Sequence, residues 1–231
     1  MASDYENISR FNEKKLGEDR ASRMSQVAMY ADTAHFVYEL LQNADDAGAT
    51  EIHFTVSKKQ LVVEHNGTPF AEDNVKAISY FGKGKTDITK IGHFGLGFKS
   101  VFAYTATPLV HSGGESFEIS QLYSVAAAEY PNNLEQERTR FVFPFDHHAK
   151  CPDYIEPRKW KSAKVAYEEI AAKLANLGAE TLLFTKVLTE INWETESNKG
   201  HYLRDANPIE GGHEVNIITD EGDGQIGRAH V

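Results

Sequence analysis

The sequence predicts an α+β fold with a mostly antiparallel sheet, on three observations. EIHFTV, residues 51–56, alternates apolar and polar side chains and is followed closely by a short β-branched run, QLVVE. Helical patterning holds over residues 32–47 and 158–177, and a glycine follows each segment. The strands arrive in runs between helices, not one helix per strand, so an alternating parallel design does not fit.

Taken in order, residues 4–17 read as a short helix or arm ending at Gly17, and residues 19–30 as a helix. Asp32 is a candidate N-cap for the helix over 32–47, and Gly48 is its candidate C′ residue. In the first strand Ile52, Phe54 and Val56 share a face. Asn66-Gly67, after the second strand, is the strongest short-range hairpin-turn dipeptide. Residues 71–81 are helical in pattern, residues 82–97 form a loop rich in glycine and lysine, and a helix is expected to start near Phe98. Further strands are expected at 115–123 and 139–145. Gly178 closes the amphipathic helix over 158–177, and ETLLFTKV and LTEINW read as two more strands. The tail ITDEGDGQIGRAHV is polar, glycine-rich and structureless in pattern. Its last seven residues are what an in-frame read of a common sequencing adapter would encode, so residues 225–231 are expected to be non-native and the natural chain to continue further.

Composition narrows the function classes. The chain has 231 residues, 41% hydrophobic and 25% charged, with a mean hydropathy of −0.46. No apolar run approaches the ~20 residues of a membrane helix, and MASDYENISR lacks the basic and apolar regions of a secretory signal. The single cysteine, Cys151, allows no internal disulfide. A cytoplasmic protein without membrane contact is expected. A formal charge of −10 disfavours a broad nucleic-acid-binding face. Lys83, Lys85, Lys90 and Lys99 make either a local basic patch or a solvated loop. The ten histidines show no metal-ligand spacing, His147 and His148 included.

The chemistry concentrates in ELLQNADDA, residues 39–47. On a helix, Glu39, Asn43 and Asp46 fall within an arc of about 60°, while Val37, Leu40, Leu41 and Ala44 face roughly the other way. An amide oxygen suits Mg²⁺, which takes few protein ligands alongside phosphates. A carboxylate one turn away can orient and deprotonate a water. IGHFGLGFKS, residues 91–100, then sets Gly92, Gly95 and Gly97 before a helix start. Bare backbone there can meet phosphate oxygens without a Cβ in the way. Lys99 and Ser100 could add a charge and a hydroxyl. The pattern is neither a Walker A loop nor a dinucleotide-binding fingerprint.

These residues resemble the GHKL ATPases, the group of the gyrase B, heat-shock chaperone, histidine kinase and MutL nucleotide-binding domains. ELLQNADDA fits their E-x-x-x-N-x-x-D-A motif. GHFGLGFKS is similar to the chaperone's phosphate-binding segment, and RTRFVFPF looks like the late strand whose threonine, here Thr139, reaches toward the nucleotide. HFVYELLQNADDAGA, NGTPF, IGHFGLGFKSVF and LLFTKVLTEINW most resemble sacsin-like N-terminal ATPase domains, over roughly residues 5–195.

The resemblance implies a Bergerat-type two-layer α/β sandwich, with helices on one face of a mixed, mostly antiparallel sheet and ATP between sheet and lid. Glu39 would be the general base, Asn43 the Mg²⁺ ligand, and Asp46 a support for the pocket wall. Gly92, Phe94, Gly95, Leu96, Gly97 and Phe98 would cradle phosphates by their backbone, and Lys83 and Lys85 would lie in a lid over 82–91. In the family's D-x-G-x-G motif, whose Asp accepts from the adenine amino group, this chain has HNGTPF. Gly67 fits, Pro69 replaces the second glycine, and His65 stands at the Asp. Either His65 or Asn66 could accept the same hydrogen bond, or Asn66-Gly67 is only a turn.

The implied division is an arm and helix over 1–31, a nucleotide-binding domain over 32–195, the start of a following segment over 196–224, and the tail. The implied function is Mg²⁺-dependent ATP hydrolysis within a larger chaperone-like or defence-associated protein, possible homodimerisation on lid closure included. The alternatives are a non-catalytic nucleotide sensor, a histidine kinase and a DNA-processing ATPase.

Overall fold

The computed structural model describes residues 2–16, 36–80, 96–147, 161–209, 212–220 and 227–230. The expected helix over 19–30, Asp32, Lys83, Lys85, Lys90, Gly92, Phe94 and Gly95 lie outside these.

Five α-helices are described: α1 (Tyr5–Leu16), α2 (Phe36–Asp46), α3 (Glu72–Ser79), α4 (Leu96–Lys99) and α5 (Ala163–Ala175). Ten strands make one sheet: β1 (Glu51–Val56), β2 (Gln60–His65), β3 (Leu109–Ser112), β4 (Glu115–Ser120), β5 (Ser124–Ala127), β6 (Thr139–Pro144), β7 (Glu190–Glu194), β8 (Lys199–Ile209), β9 (Gly212–Asp220) and β10 (Gly227–His230). Their order is β10-β9-β8-β7-β1-β2-β6-β3-β4-β5. Among the described strands only β1 and β7 pair in parallel, so the sheet is mixed and mostly antiparallel, as the sequence predicts.

The period-2 pattern buries Ile52, Phe54 and Val56 of β1 and Leu61 and Val63 of β2, together with Phe141 and Phe143 of β6. On this face sits the apolar stripe of α2, with Phe36 edge-on to Phe143 at 5.9 Å. Ile170 and Leu174 of α5 complete the same core. Gly48 ends α2 with φ +75°. Its N–H donates to the Asp45 carbonyl at 3.0 Å, and Ala49 N–H to that of Ala44 at 2.9 Å, the paired bonds of a Schellman stop.

Several expectations change. ETLLFTKV does not form a strand: Ala179–Phe184 is a 3₁₀-helix. Gly178, at φ +71°, turns the chain into it. Arg204 of β8 donates to the carbonyls of Leu182 at 2.9 Å and Thr185 at 2.6 Å, holding the coil in place. The run is apolar, but Leu182 is buried while Phe184 is 85% exposed. The helix expected from 158 is preceded by Ser162, whose hydroxyl caps it by accepting from Val165 N–H at 3.3 Å. The β1–β2 turn is made by Ser57, which bonds Gln60 at 2.9 Å; Asn66-Gly67 instead leads from β2 toward α3. Strands β3 and β5 had no legible signal. Strands β8 and β9 extend the sheet through residues set apart as a following segment, and β10, within the presumed non-native tail, pairs with β9.

The N-terminal helix α1 docks onto the sheet. Tyr5 hydroxyl donates to Glu115 at 2.7 Å and accepts from Ser116 N–H at 2.9 Å. Among the described residues, no helix is long and apolar enough to cross a membrane, and no cluster of His, Cys, Asp or Glu could hold a metal ion.

Candidate functional site

Helix α2 carries the polar stripe, and its orientation is set by a buried carboxylate that the sequence reading passed over. Asp45 accepts backbone N–H bonds from Lys186 at 2.9 Å, Val187 at 2.7 Å and Leu188 at 2.8 Å. Burial alone would raise its pKa. The bonds from Leu188, Lys186 and Val187, with the Lys186 charge, overcome that and hold it below the usual carboxylate value. The doubled acid at 45 and 46 was visible in the sequence; which of the two turns inward depends on the loop before β7.

With Asp45 turned inward, the remaining polar residues divide. Asp46 is exposed and pairs with Lys186 Nζ at 3.3 Å. Asn43 is only 5% exposed. Among the described residues its side-chain amide has no hydrogen-bond partner. Glu39, one turn earlier and half-buried, lies directly against Gly97 at the start of α4. A Cβ on Gly97 would coincide with the Glu39 carboxyl group. A side chain at position 97 would have to displace the Glu39 carboxylate.

A second close approach lies at the other end of the helix. A Cβ on Gly67 would come to 3.0 Å from the Cβ and the carbonyl oxygen of Ala47, and Thr68 N–H bonds that same carbonyl at 2.8 Å. The polar stripe of α2 thus runs between two glycine contacts, Glu39 against Gly97 and Ala47 against Gly67. Glu39 and Ala47 are eight positions apart, about 12 Å at 1.5 Å per residue.

Beside Gly67 lies His65, the last residue of β2 and 2% exposed. Gly67 N–H donates to its Nδ1 at 3.1 Å. Burial, with the Arg138 charge adding to it, pushes the imidazole down to about 4, so the ring is neutral at pH 7. Across the ladder His65 pairs in register with Thr139 of β6. Thr139 Oγ1 and Ser112 Oγ hydrogen-bond at 2.5 Å, either hydroxyl able to donate, and Ser112 Oγ accepts from Phe70 N–H at 2.9 Å. Ser112 was not foreseen, because nothing marked its strand. Asn66 is spent on structure. Its Oδ1 accepts from Thr50 N–H at 2.9 Å and Glu51 N–H at 3.2 Å, and its Nδ2 donates to Thr50 Oγ1 at 2.8 Å.

The residues after Gly97 turn inward. Phe98 packs 6.1 Å from the rings of both Phe141 and Phe143. Lys99 is fully buried, donating to the carbonyls of Ser79 at 3.2 Å and Leu122 at 2.5 Å. Burial brings its pKa down to about 7. Ser100 hydroxyl donates back to the Gly97 carbonyl at 2.6 Å. The side chains of Lys99 and Ser100 are thus committed inside the fold, and the charge and hydroxyl anticipated from them are not offered to a ligand. Leu96 is described by its backbone in α4.

The contact at Gly97 makes its own prediction. Gly97→Ala should displace the Glu39 side chain, lowering stability in thermal unfolding. In a Glu39→Ala background the same change should cost much less, and equal losses in both backgrounds would contradict the contact.

Comparison with known proteins follows the same residues. The family model described as "Sacsin domain" matches residues 18–121, which span α2, the β1–β2 hairpin and the glycine-rich segment. "Protein NO VEIN" of Arabidopsis thaliana is 35% identical over 106 residues, 43% of this chain and 4% of that protein. "Sacsin" of Homo sapiens is 35% identical over 118 residues, 42% of this chain and 3% of that protein. The chain therefore spans only a few per cent of the length of these relatives. Among solved structures, the N-terminal domain of a DNA repair protein aligns with TM-score 0.53 and 11% identity, over 86% of this chain and 69% of that one. The B-subunit of the DNA gyrase from Myxococcus xanthus aligns with TM-score 0.46 and 12% identity, over 81% and 62%.

Proposed function

We propose that residues 18–121, which match the sacsin domain model, form a sacsin-like domain of the GHKL group, that the polar stripe of α2 is the floor of an ATP site and that the chain hydrolyses ATP with Mg²⁺. The observation that carries this reading is the stripe itself. Asn43 presents an amide without a partner among the described residues, between Glu39 at the Gly97 end and His65 beside the Gly67 end. A span of about 12 Å suits a nucleotide lying along the helix, phosphates toward Gly97 and base toward His65.

Each residue then has a role set by its chemistry. Asn43 offers a hard oxygen for Mg²⁺. Bound there, the ion would neutralise phosphate charge. Glu39 accepts the proton of the attacking water as the bond to the terminal phosphate breaks. Gly92 and Gly95, with Phe94 and Lys85, would complete the phosphate side, and Thr139 would lie at the base side. The coupled output is conformational, through homodimerisation or a further part of the protein, in a cytoplasmic setting.

Isothermal titration with ATP and ADP, with and without Mg²⁺, tests the reading. Mg²⁺-sensitive binding supports it, and a folded sample that binds neither nucleotide overturns it. Asn43→Ala should abolish the Mg²⁺-dependent gain in ATP affinity while leaving the weaker Mg²⁺-free binding in place. Unchanged Mg²⁺ dependence would remove Asn43 as the ligand.

A further inference from the structure

We propose that Lys99 is a positioning residue of the nucleotide site. Its buried ammonium clasps the end of α3 to the β4–β5 turn and so fixes the start of α4 against Glu39, and α1 belongs to the same clasp through Asn12. The inference rests on the nucleotide reading above and concerns what holds the geometry of that site.

Two buried donors join the same two segments. Lys99 Nζ donates to the carbonyl of Ser79, the last residue of α3, at 3.2 Å, and to that of Leu122, in the turn between β4 and β5, at 2.5 Å. Asn12 Nδ2 donates to Ser79 Oγ at 3.1 Å and to the carbonyl of Tyr123, the next residue of that turn, at 3.0 Å. Lys99 is 0% exposed and Asn12 3%. The turn itself is strained. Gln121 and Leu122 have φ of +50° and +75°, a left-handed backbone that bulky side chains rarely adopt. The Leu122 side chain is buried, and its carbonyl is one of the two that Lys99 holds.

An apolar side chain of similar length would fill the space of Lys99 without desolvating an ammonium. Burial works against the charged form here and lowers its pKa. What the ammonium adds is direction, because satisfied buried hydrogen bonds fix relative positions that apolar packing leaves looser. Gly97 lies two residues before Lys99 in α4, and Ser100 hydroxyl donates to its carbonyl at 2.6 Å. The Glu39 carboxyl group lies against Gly97, so a shift of α4 changes the space open to that carboxylate. A displacement of about 1 Å at a reacting group can cost about 10²-fold in rate.

The test uses Lys99→Met and Asn12→Ala, each alone and combined with Glu39→Ala. Phosphate release is expressed per ATP site counted by calorimetry with Mg²⁺, so that lost folded protein is not read as lost rate. Lys99→Met is expected to lower turnover per site at least about ten-fold, with ATP affinity within a few-fold. It should add little to Glu39→Ala, in which the carboxylate is already gone. Asn12→Ala should show the same pattern at about two- to three-fold, since Lys99 still holds the turn. Undiminished turnover per site in either variant overturns the clasp and leaves the nucleotide site standing. An equal loss with and without the Glu39 carboxylate also overturns it, because the effect would then be general destabilisation. If Lys99→Met does not fold, Asn12→Ala decides by the same criteria. A folded wild-type chain without ATP turnover would overturn the hydrolysis reading and this inference together.

Discussion

Glu39→Ala is expected to lower ATP turnover by about 10²–10⁴-fold, the usual contribution of a positioned general base, while ATP affinity stays within a few-fold. The carboxylate is half-buried and packed against Gly97 at the start of α4. Truncation to alanine removes the base and leaves α2 itself in place, because the helix is anchored by its apolar stripe and by Asp45. Glu39→Gln, of the same shape without the basicity, should lose as much turnover as Glu39→Ala. A steady-state phosphate-release assay beside an ATP titration separates the two effects. Turnover unchanged in both variants would show that Glu39 is not the base.

Asp45→Ala is expected to be the most destabilising single change near the site, by about 3 kcal/mol or more in chemical denaturation. It strips the acceptor from three backbone N–H groups of residues 186–188 and unties the C-terminal end of α2 from the start of β7. Asp45→Asn keeps one acceptor oxygen and should lose less. The pH dependence has a definite sign. The folded-state pKa of Asp45 lies below its ordinary value, so its contribution is fully present above that ordinary value, about 3.9. It is lost as pH falls through the folded-state value. Wild-type stability should therefore drop more steeply than that of Asp45→Asn as pH falls below about 4. Parallel acid-unfolding curves for the two proteins would contradict the assignment.

Much of the fold was legible in local periodicity. The alternation in 51–56 matches the burial of β1, the β-branched run QLVVE falls in β2, and the stripe Val37, Leu40, Leu41 and Ala44 lies on the buried side of α2. Gly48 was readable as a stop because a positive φ is cheap only without a Cβ. Strands β3 and β5 were not legible, since each has only four residues, too short for a period to declare itself. ETLLFTKV misled because an apolar run does not distinguish a strand from a coil whose carbonyls are met by a distant arginine.

The sequence by itself determined which residue types could do chemistry and their order along the chain: Glu39, Asn43 and Asp46 at helical spacing, the glycines after them, and a histidine where a carboxylate would be expected. Tertiary structure alone decided how each is used. It turned Asp45 inward and left Asp46 outside, buried Lys99 against two carbonyls, seated Glu39 on Gly97 and locked His65 through Gly67 N–H. The physical reason is that spacing constrains which face of an element a residue occupies, whereas hydrogen-bond partners and solvent exposure come from segments distant in sequence. Those partners determine whether a polar group is spent on the fold or left for a ligand.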